Sequence, residues 1–214
     1  MRAIPVGDQA LLVELPDGDA ALALHAELLR RRDAGALGPV TDIVPAARTV
    51  LIDGVADPAR LAAALPTWDV PPTTPEAGDT VTLPVRYTGP DLAEVAHHWG
   101  VTPGEVAGIH AGTAFRVAFC GFAPGFGYLT GLPERYAVPR RATPRTRVPV
   151  GSVALAGPYT GVYPQASPGG WQLIGTTDAV LWDPERAPAA LLTPGTRVRF
   201  VPEPAPEPAP ESAA

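Results

Sequence analysis

The chain has 214 residues, 46% of them hydrophobic, and a formal net charge of -6. This length can bury one large core or two small ones, while the acidic balance argues against a nucleic-acid partner. All 16 basic residues are arginine and Cys120 is the single cysteine, which excludes lysine-based phosphate, Schiff-base and biotin chemistry, an internal disulfide and a cysteine-based metal cluster.

The start of the chain, MRAIPVGDQALLVEL, lacks the charged and then apolar pattern of a signal peptide. No apolar run approaches the length that a membrane span needs. We therefore expect a cytoplasmic protein without a membrane partner. A paired-histidine metal motif is also missing from the sequence, so we expect no metal site.

Proline marks the predicted boundaries. The stretch PTWDVPPTTPEAGD ends at residue 79 and is typical of an interdomain linker, which we place at 67–79. Residues 202–214 repeat Pro-Glu-Pro-Ala and predict a disordered, polyproline-like tail. The sequence therefore predicts a first domain over 1–66 and a second domain over 80–201.

In the first domain, apolar patterning and capping residues predict a β-β-α-β-β-α order with helices on one face of a small sheet. Asp19 is the expected N-cap of the first helix, and Asp57 caps a short helix that has Pro58 at its first position. The first helix should bury Leu22, Leu28 and Leu29. The predicted strands are 10–15, 40–44 and 49–53, and the predicted helices are 19–32 and 58–65.

The second domain is predicted to be mostly β. Its first strand alternates apolar and polar residues, and Thr102 and Glu105 form a capping box in front of its second helix. Short apolar runs separated by glycine and proline then indicate an antiparallel sandwich or barrel, so the fold class is α+β. The predicted strands are 81–87 and 114–120, the helices are 91–99 and 103–110, and the later apolar runs are 148–155, 171–174, 179–182 and 197–201.

GFAPGFGYL at 121–129 follows the predicted strand 114–120 directly. Its glycines allow a tight loop, and its aromatic side chains Phe122, Phe126 and Tyr128 supply flat walls. Five arginines follow within thirteen residues, at positions 135, 140, 141, 145 and 147. They indicate either an anion site, because guanidinium matches carboxylate and phosphate, or a solvated loop whose charges pair with nearby acids.

Other polar candidates leave alternatives open in the same way. His110 ends a predicted helix, where it is either a general base or a cap for the helix carbonyls. The segments 159–164 and 167–175 contain glycines beside Tyr163 and Gln172. Those glycines either let the backbone approach a ligand closely or make tight turns with the tryptophan packed beneath them.

Several long motifs, in fixed order, closely resemble the KipI/PxpB family. This is the family of the B-type subunit of 5-oxoprolinase, also known as allophanate hydrolase subunit 1, and it is related to a carboxyltransferase subdomain of urea carboxylase. The resemblance runs from GDQALLVE at 7–14 to RFV at 199–201. The motifs that carry it are VPAARTVLI at 44–52, His110, GFAPGFGYL at 121–129, LPERYAVPRRATPR at 132–145, VPVGSV at 148–153, TGVYP at 160–164 and SPGGWQLIG at 167–175.

The resemblance implies a small α/β domain followed by a cyclophilin-like β-barrel domain. It also implies a protein that acts with the C-type and A-type subunits of an ATP-dependent 5-oxoprolinase, which opens the lactam of 5-oxo-L-proline to give L-glutamate. ATP is expected to activate the lactam carbonyl by phosphorylation before water attacks. This chain should supply only part of that site and is expected to be inactive alone.

Carried onto this sequence, the resemblance places substrate or phosphate contacts at Arg140, Arg141 and Arg145, whereas Arg147 lies outside the family pattern. The expected cavity walls are Phe122, Phe126 and Tyr128. His110 is expected in a polar or general-base role, and Tyr163 and Gln172 are the expected donors. Two positions depart from the pattern: Tyr159 stands where glutamine is usual, and Val150 where alanine is usual. Other members inhibit a sporulation histidine kinase or serve urea and allophanate metabolism, and both are alternatives to the oxoprolinase prediction.

Overall fold

A computed structural model describes residues 1–72 and 80–203 of the chain. The first unit is a four-stranded antiparallel sheet in the order β1-β2-β4-β3, with both helices packed on one face. Apolar residues of β2 and β4 alternate, so Leu11, Val13, Val50 and Ile52 point at the helices and are fully buried. The elements are β1 (Arg2–Val6), β2 (Ala10–Glu14), α1 (Gly18–Asp33), β3 (Asp42–Pro45), β4 (Thr49–Asp53) and α2 (Pro58–Ala64).

Two details of the first unit differ from the prediction. The carboxylate of Asp17, not that of Asp19, caps α1 by accepting a hydrogen bond from the backbone N–H of Ala20 at 2.8 Å. Asp19 lies in the first turn, where its negative charge still favours the helix dipole. The predicted cap of α2 is present, because the Asp57 carboxylate accepts from the N–H of Arg60.

The predicted linker starts too early. Residues 65–67 form a 3-10 helix that continues α2, and Trp68 and Val70 pack against the first core. The guanidinium of Arg31 lies 3.8 Å from the centroid of the Trp68 ring. The first unit therefore extends to at least residue 70, and the predicted linker residues 73–79 lie outside the described part of the chain.

The second unit is a seven-stranded barrel in the order β12-β9-β10-β7-β6-β13-β5. β5 and β13 pair in parallel, and the other pairs described in this sheet are antiparallel. Arg86 and Thr176 close the sheet by exchanging two backbone hydrogen bonds of 2.9 Å. The strands are β5 (Thr80–Val85), β6 (Phe115–Cys120), β7 (Gly127–Thr130), β9 (Ser152–Ala156), β10 (Tyr159–Val162), β12 (Gln172–Thr176) and β13 (Arg197–Pro202).

Helices α3 (Leu92–Trp99) and α4 (Pro103–Gly112) pack against the barrel, and a small sheet of β8 (Arg145–Val148) and β11 (Ser167–Gly169) lies beside it. The predicted capping box begins α4, with the Glu105 carboxylate accepting from the Thr102 N–H at 2.7 Å. The predicted α+β fold with a barrel is confirmed. Within the described residues, no helix is long and apolar enough to cross a membrane.

Several apolar runs of the second unit have other bounds than predicted. The run at 179–182 forms only an isolated bridge between Trp182 and Ala190. The expected loop 121–129 ends at Phe126, because β7 begins at Gly127. At the other end of the chain, β13 reaches Pro202 and the N–H of Glu203 donates to the carbonyl of Val85, so the predicted tail begins later than residue 202. Residues 204–214 lie outside the described part of the chain.

Both faces of the barrel strand β9 are buried, and this positions the site. Val153 and Leu155 point into the main core of the barrel. Ala154 and Ala156 alternate with them and belong to a second cluster on the outer face. β10 separates its side chains in the same way. The outer cluster, which consists of Phe126, Val148, Ala154, Ala156, Tyr163, Trp171 and Leu173, forms the base of the candidate site.

Candidate functional site

The turn between β6 and β7 brings aromatic side chains to the outer face of the barrel. Phe126 N–H donates to the carbonyl of Ala123 at 3.0 Å, with Pro124 and Gly125 as the central residues. Gly125 has φ +83°, which the third position of a type II turn requires and glycine adopts without strain. The sequence Ala-Pro-Gly-Phe therefore makes a defined turn and not a flexible loop.

Phe122, which directly precedes this turn, has a backbone conformation that is unusual for its residue type. Its φ is +69°, and Ala123 N–H donates to the carbonyl of Gly121 across it, as in a γ-turn. Side chains other than glycine, asparagine and aspartate rarely adopt this conformation. Phe122 is nevertheless 61% exposed, so the strain holds a large apolar ring in solvent beside Phe126 and Tyr163. Strain of this kind points to a functional role.

Phe126, Tyr128, Tyr163 and Trp171 form a network of edge-to-face contacts. The ring of Phe126 lies 5.0 Å from Tyr128, 5.4 Å from Tyr163 and 5.4 Å from Trp171, measured between centroids. Gly161 makes this packing possible, because a Cβ at that position would lie 2.8 Å from Phe126 and 3.0 Å from Trp171. The glycine in TGVYP is therefore a packing requirement of the aromatic cluster.

A cavity of about 510 Å³ opens above this network. Five of the predicted site residues line it: Phe122, Phe126, Tyr128, Arg140 and Tyr163. No carboxylate is among the described residues that line it. The remaining lining residues are Val138, Pro139, Ala156, Gly157, Pro158, Tyr159, Pro168, Gly169 and Trp171.

The polar groups at this cavity are one guanidinium and three phenols. Burial raises the pKa of Tyr128, Tyr159 and Tyr163, so all three remain protonated donors at neutral pH. Arg140 is close enough to Tyr128 and Tyr163 to oppose that rise in pKa through its positive charge. An apolar cavity with these polar groups suits a small anion that has a flat, apolar body.

Arg141 and Arg145 are not among the described residues that line the cavity. Arg141 Nη1 and Arg145 Nη2 donate to the same oxygen of Asp91, at 2.8 and 2.7 Å. The other oxygen of Asp91 accepts from the N–H of Leu173 at 2.7 Å. Asp91 is 3% exposed, so the arrangement is a buried ion-pair node that ties α3, β8 and β12 together. The predicted anion-binding roles of Arg141 and Arg145 stay predictions, and in the structure both guanidinium groups pair with Asp91.

Gln172 also lies outside the cavity. Its side-chain amide donates to the carbonyl of Pro139 at 3.3 Å and approaches the carboxylate of Glu94 at 3.5 Å. It lines a smaller cavity of about 160 Å³ on the other side of Pro139. Gln172 therefore supports the wall that Pro139 forms and does not face the larger cavity.

The position of His110 argues against its predicted role as a general base. His110 is fully buried, and its ring contacts Phe115 and Phe200 in the main core. Its nitrogens lie 2.8 Å from the Tyr87 hydroxyl and 3.3 Å from the Thr160 hydroxyl. Burial lowers the pKa of His110 to about 3, so the ring is neutral. Because Thr160 and Tyr159 alternate on β10, His110 and the cavity lie on opposite faces of that strand.

Tyr159 and Trp171 are cavity residues that the prediction did not include. Tyr159 contacts Tyr128 at 5.7 Å and Phe119 at 5.5 Å between ring centroids. Tyr159 belongs to the glycine-containing segment 159–164, and Trp171 belongs to the segment 167–175. The position of these aromatics beside Gly161 and Gly169 was the available signal, but strand pairing was needed to place them at the cavity.

A larger cavity of about 650 Å³ lies between α1 and β6. Apolar side chains such as Leu15 and Leu24 line it, together with Asp19 and Arg116. None of the predicted site residues is among its described lining, so the outer-face cavity is the better candidate.

The family model for the carboxyltransferase domain, subdomain C and D, matches residues 1–192. The chain belongs to this family. The family predicted from the motifs is thereby confirmed.

The B-type subunit of 5-oxoprolinase from Escherichia coli O157:H7 is 53% identical over 126 residues, which are 58% of this chain and 58% of that protein. Its counterpart of the same name from Bacillus subtilis strain 168 is 48% identical over 124 residues, 56% of this chain and 52% of that protein. The match thus spans little more than half the length of these curated relatives.

Three solved structures share the fold. TTHA0988 superposes with a TM-score of 0.76 at 36% identity, covering 94% of this chain and 41% of that one. The uncharacterized protein PH0987 from Pyrococcus horikoshii superposes with a TM-score of 0.57 at 32% identity, covering 94% and 97%. Kluyveromyces lactis urea carboxylase has a TM-score of 0.70 at 20% identity, covering 94% and 22%, and this likeness shows the fold alone.

Proposed function

We propose that the chain is the B-type subunit of an ATP-dependent 5-oxoprolinase, which hydrolyses 5-oxo-L-proline to L-glutamate together with the A-type and C-type subunits. The observation that carries the proposal is the 46–53% identity to proteins that bear the name of this 5-oxoprolinase subunit. The kinase-inhibitor and urea-metabolism alternatives stay predictions, since no relative or described contact favours them.

The outer-face cavity is the part of this chain that fits the reaction. A substrate carboxylate needs a cationic partner, and the Arg140 guanidinium is available at the cavity. The aromatic walls would exclude water from one side of the lactam, and the phenols would donate to its carbonyl oxygen. These contributions bind and orient the substrate.

ATP fits this cavity poorly. A triphosphate needs several cations or a metal ion around its oxygens, and the cavity offers one guanidinium and no carboxylate that would hold a metal. No cluster of metal-ligating side chains is found among residues 1–72 and 80–203. We therefore assign nucleotide activation of the lactam to another part of the complex, and we expect the isolated chain to be inactive.

Reconstitution tests the proposal. The chain is combined with the A-type and C-type subunits, and glutamate formation and 5-oxoproline-dependent ATP hydrolysis are measured. We expect turnover by the complex and none by the chain alone. Arg140→Ala should lower kcat/KM at least tenfold, whereas Arg147→Ala is the matched control, since Arg147 is exposed and outside the described lining of the cavity. A complex that does not turn over 5-oxoproline would overturn the function, and normal turnover by Arg140→Ala would overturn the role of Arg140.

A further inference from the structure

We propose that the outer-face cavity is a docking groove for a proline-rich acidic segment, and that this segment is residues 204–214 of the chain itself, PAPEPAPESAA. In the docked state, Pro208 and Pro210 pack among the aromatic walls and the Glu211 carboxylate pairs with Arg140. The docking does not depend on the proposed function. Its consequence for activity does, because a docked segment keeps other ligands out of the cavity.

The walls of the cavity have the composition that grooves for polyproline segments have. Tyr128 and Trp171 lie 5.5 Å apart between ring centroids, and three exposed prolines stand among the aromatic residues of the lining. Proline-rich segments dock in aromatic-lined grooves, because proline rings lie flat against aromatic rings. A polyproline helix is also extended before it binds, so little conformational entropy is lost on docking.

The charged groups beside the groove carry excess positive charge. Arg140 lines the cavity, and no described carboxylate forms an ion pair with it. Arg141 and Arg145 share the carboxylate of Asp91 in the buried ion-pair node. Glu94 lies 3.8 Å from Arg141, but it is 63% exposed, so water screens its negative charge. Three guanidinium groups therefore face two carboxylates, one of which is mostly in solvent.

The segment 204–214 carries the opposite charge. Its charged side chains are Glu207 and Glu211, and it contains no basic residue. The positive charge of Arg145 reaches the cavity together with that of Arg140, since both lower the pKa of Tyr163 against the rise that burial causes. A carboxylate on this segment would thus meet a positive potential, and a guanidinium can bind it with two parallel hydrogen bonds.

The described part of the chain ends within reach of the groove. The carboxylate of Glu203, the last described residue, accepts a hydrogen bond from Arg86 at 3.3 Å. From Arg86, three backbone pairings lead across the barrel to Tyr163 by way of Thr176 and Ser152. Neighbouring strands lie about 5 Å apart, so these steps cover about 15 Å.

The spacing of the segment assigns its residues to the groove. A polyproline helix rises about 3.1 Å per residue, so residues 204–208 cover about 15 Å and bring Pro208 to the cavity. Three residues make one turn, so Glu211 would share a face with Pro208, about 9 Å further along. Glu207 would lie on another face, before the cavity. Glu211 is therefore the expected partner of Arg140, and Glu207 is its matched control.

NMR titration of two forms of the protein tests the docking. The forms are the full chain and a chain that ends at Glu203, which keeps every described helix and strand. The probe is a synthetic peptide, PAPEPAPESAA. We expect the peptide to shift backbone amide signals at the cavity, such as those of Tyr159 and Gly169, in the shortened chain. It should bind the full chain roughly tenfold more weakly, because the chain's own segment occupies the groove at a high effective concentration.

Variants test the charge pairing. In the shortened chain, Arg140→Ala should weaken peptide binding roughly fivefold, whereas Arg147→Ala should leave it unchanged. In the peptide, Glu211→Gln should weaken binding several-fold and Glu207→Gln much less. Circular dichroism confirms that each protein variant is folded.

Four outcomes would overturn the docking. They are no peptide binding to the shortened chain, equal binding to both chains, equal effects of the two peptide changes, and shifts confined to Ala20 and Ala23 in the cavity between α1 and β6.

The consequence for activity rests on the proposed function and is tested in the reconstituted complex. A segment that competes for the cavity raises the apparent KM, so deletion of residues 204–214 should lower the KM for 5-oxo-L-proline several-fold at unchanged kcat. A complex without turnover would overturn the proposed function, while the peptide titration judges the docking by itself. An unchanged KM in an active complex would overturn the regulatory role of the segment.

Discussion

Replacing Asp91 with alanine should destabilise the fold strongly. The carboxylate is 3% exposed and accepts hydrogen bonds from Arg141, Arg145 and the N–H of Leu173. Removing one member of a buried ion pair costs about 3–5 kcal/mol, because the remaining charge is left without a partner. The two guanidinium side chains are 30% and 23% exposed, so water partly replaces the lost carboxylate. We therefore expect a loss of about 2–4 kcal/mol from the free energy of unfolding.

Reversible urea unfolding followed by circular dichroism measures this loss as a lower midpoint with an unchanged slope. For a chain of this size, the expected drop in Tm is roughly 5–15 °C. Glu94→Ala is the control, because Glu94 is 63% exposed and 3.8 Å from Arg141, so its loss should cost less than about 1 kcal/mol. The Asp91 side chain makes no capping bond to α3, so the effect reports the ion pairs and not the helix end. A loss below about 1 kcal/mol for Asp91→Ala would refute the buried node.

Three further predictions concern the core and the turn. Burial lowers the pKa of His110 from 6.5 to about 3, so the contribution of the neutral ring to stability is fully present above pH 6.5. As the pH falls from 6.5 toward 3, the free energy of unfolding should decrease by about 1.4 kcal/mol per pH unit. Urea midpoints at pH 7 and pH 5 should therefore differ less in His110→Gln, and an equal difference would contradict a buried neutral ring. Phe122→Gly should be about 1 kcal/mol more stable than Phe122→Ala in thermal unfolding, since only glycine relieves the positive φ; equal stabilities would mean that the turn is unstrained. Gly161→Ala should lower the free energy of unfolding by about 1–3 kcal/mol, because the new methyl group overpacks against Phe126. Gly108→Ala on α4, where a Cβ meets no neighbouring atom, should raise the free energy of unfolding by about 0.5–1 kcal/mol. Similar urea midpoints for the two variants would refute the close packing at Gly161.

Local signals in the sequence predicted many of the elements. The capping box at Thr102 and Glu105, the cap at Asp57 and the alternation in β5 each depend on residues within a few positions of one another. The predicted β-β-α-β-β-α order is observed, but no range was predicted for β1, because Pro5 and its short length hide this strand, which pairs with β2. The boundary errors at 67–70 and 202–203 have a similar origin, since prolines resemble a linker or tail even when neighbouring elements hold them.

The sequence by itself determined the family, the α+β class and the aromatic turn, because motif order, periodicity and the Ala-Pro-Gly-Phe turn are all encoded locally. The partners of the arginines were decided only by the tertiary structure. Asp91 lies 50 residues before Arg141 and 54 before Arg145, and it pairs with both, while Arg140 lines the cavity. His110 was reassigned for the same reason, since one strand of the barrel separates it from the site. The sequence gives the charge and polarity of each side chain directly. The pairing of the strands decides on which face a side chain lies and which distant residue neutralises its charge.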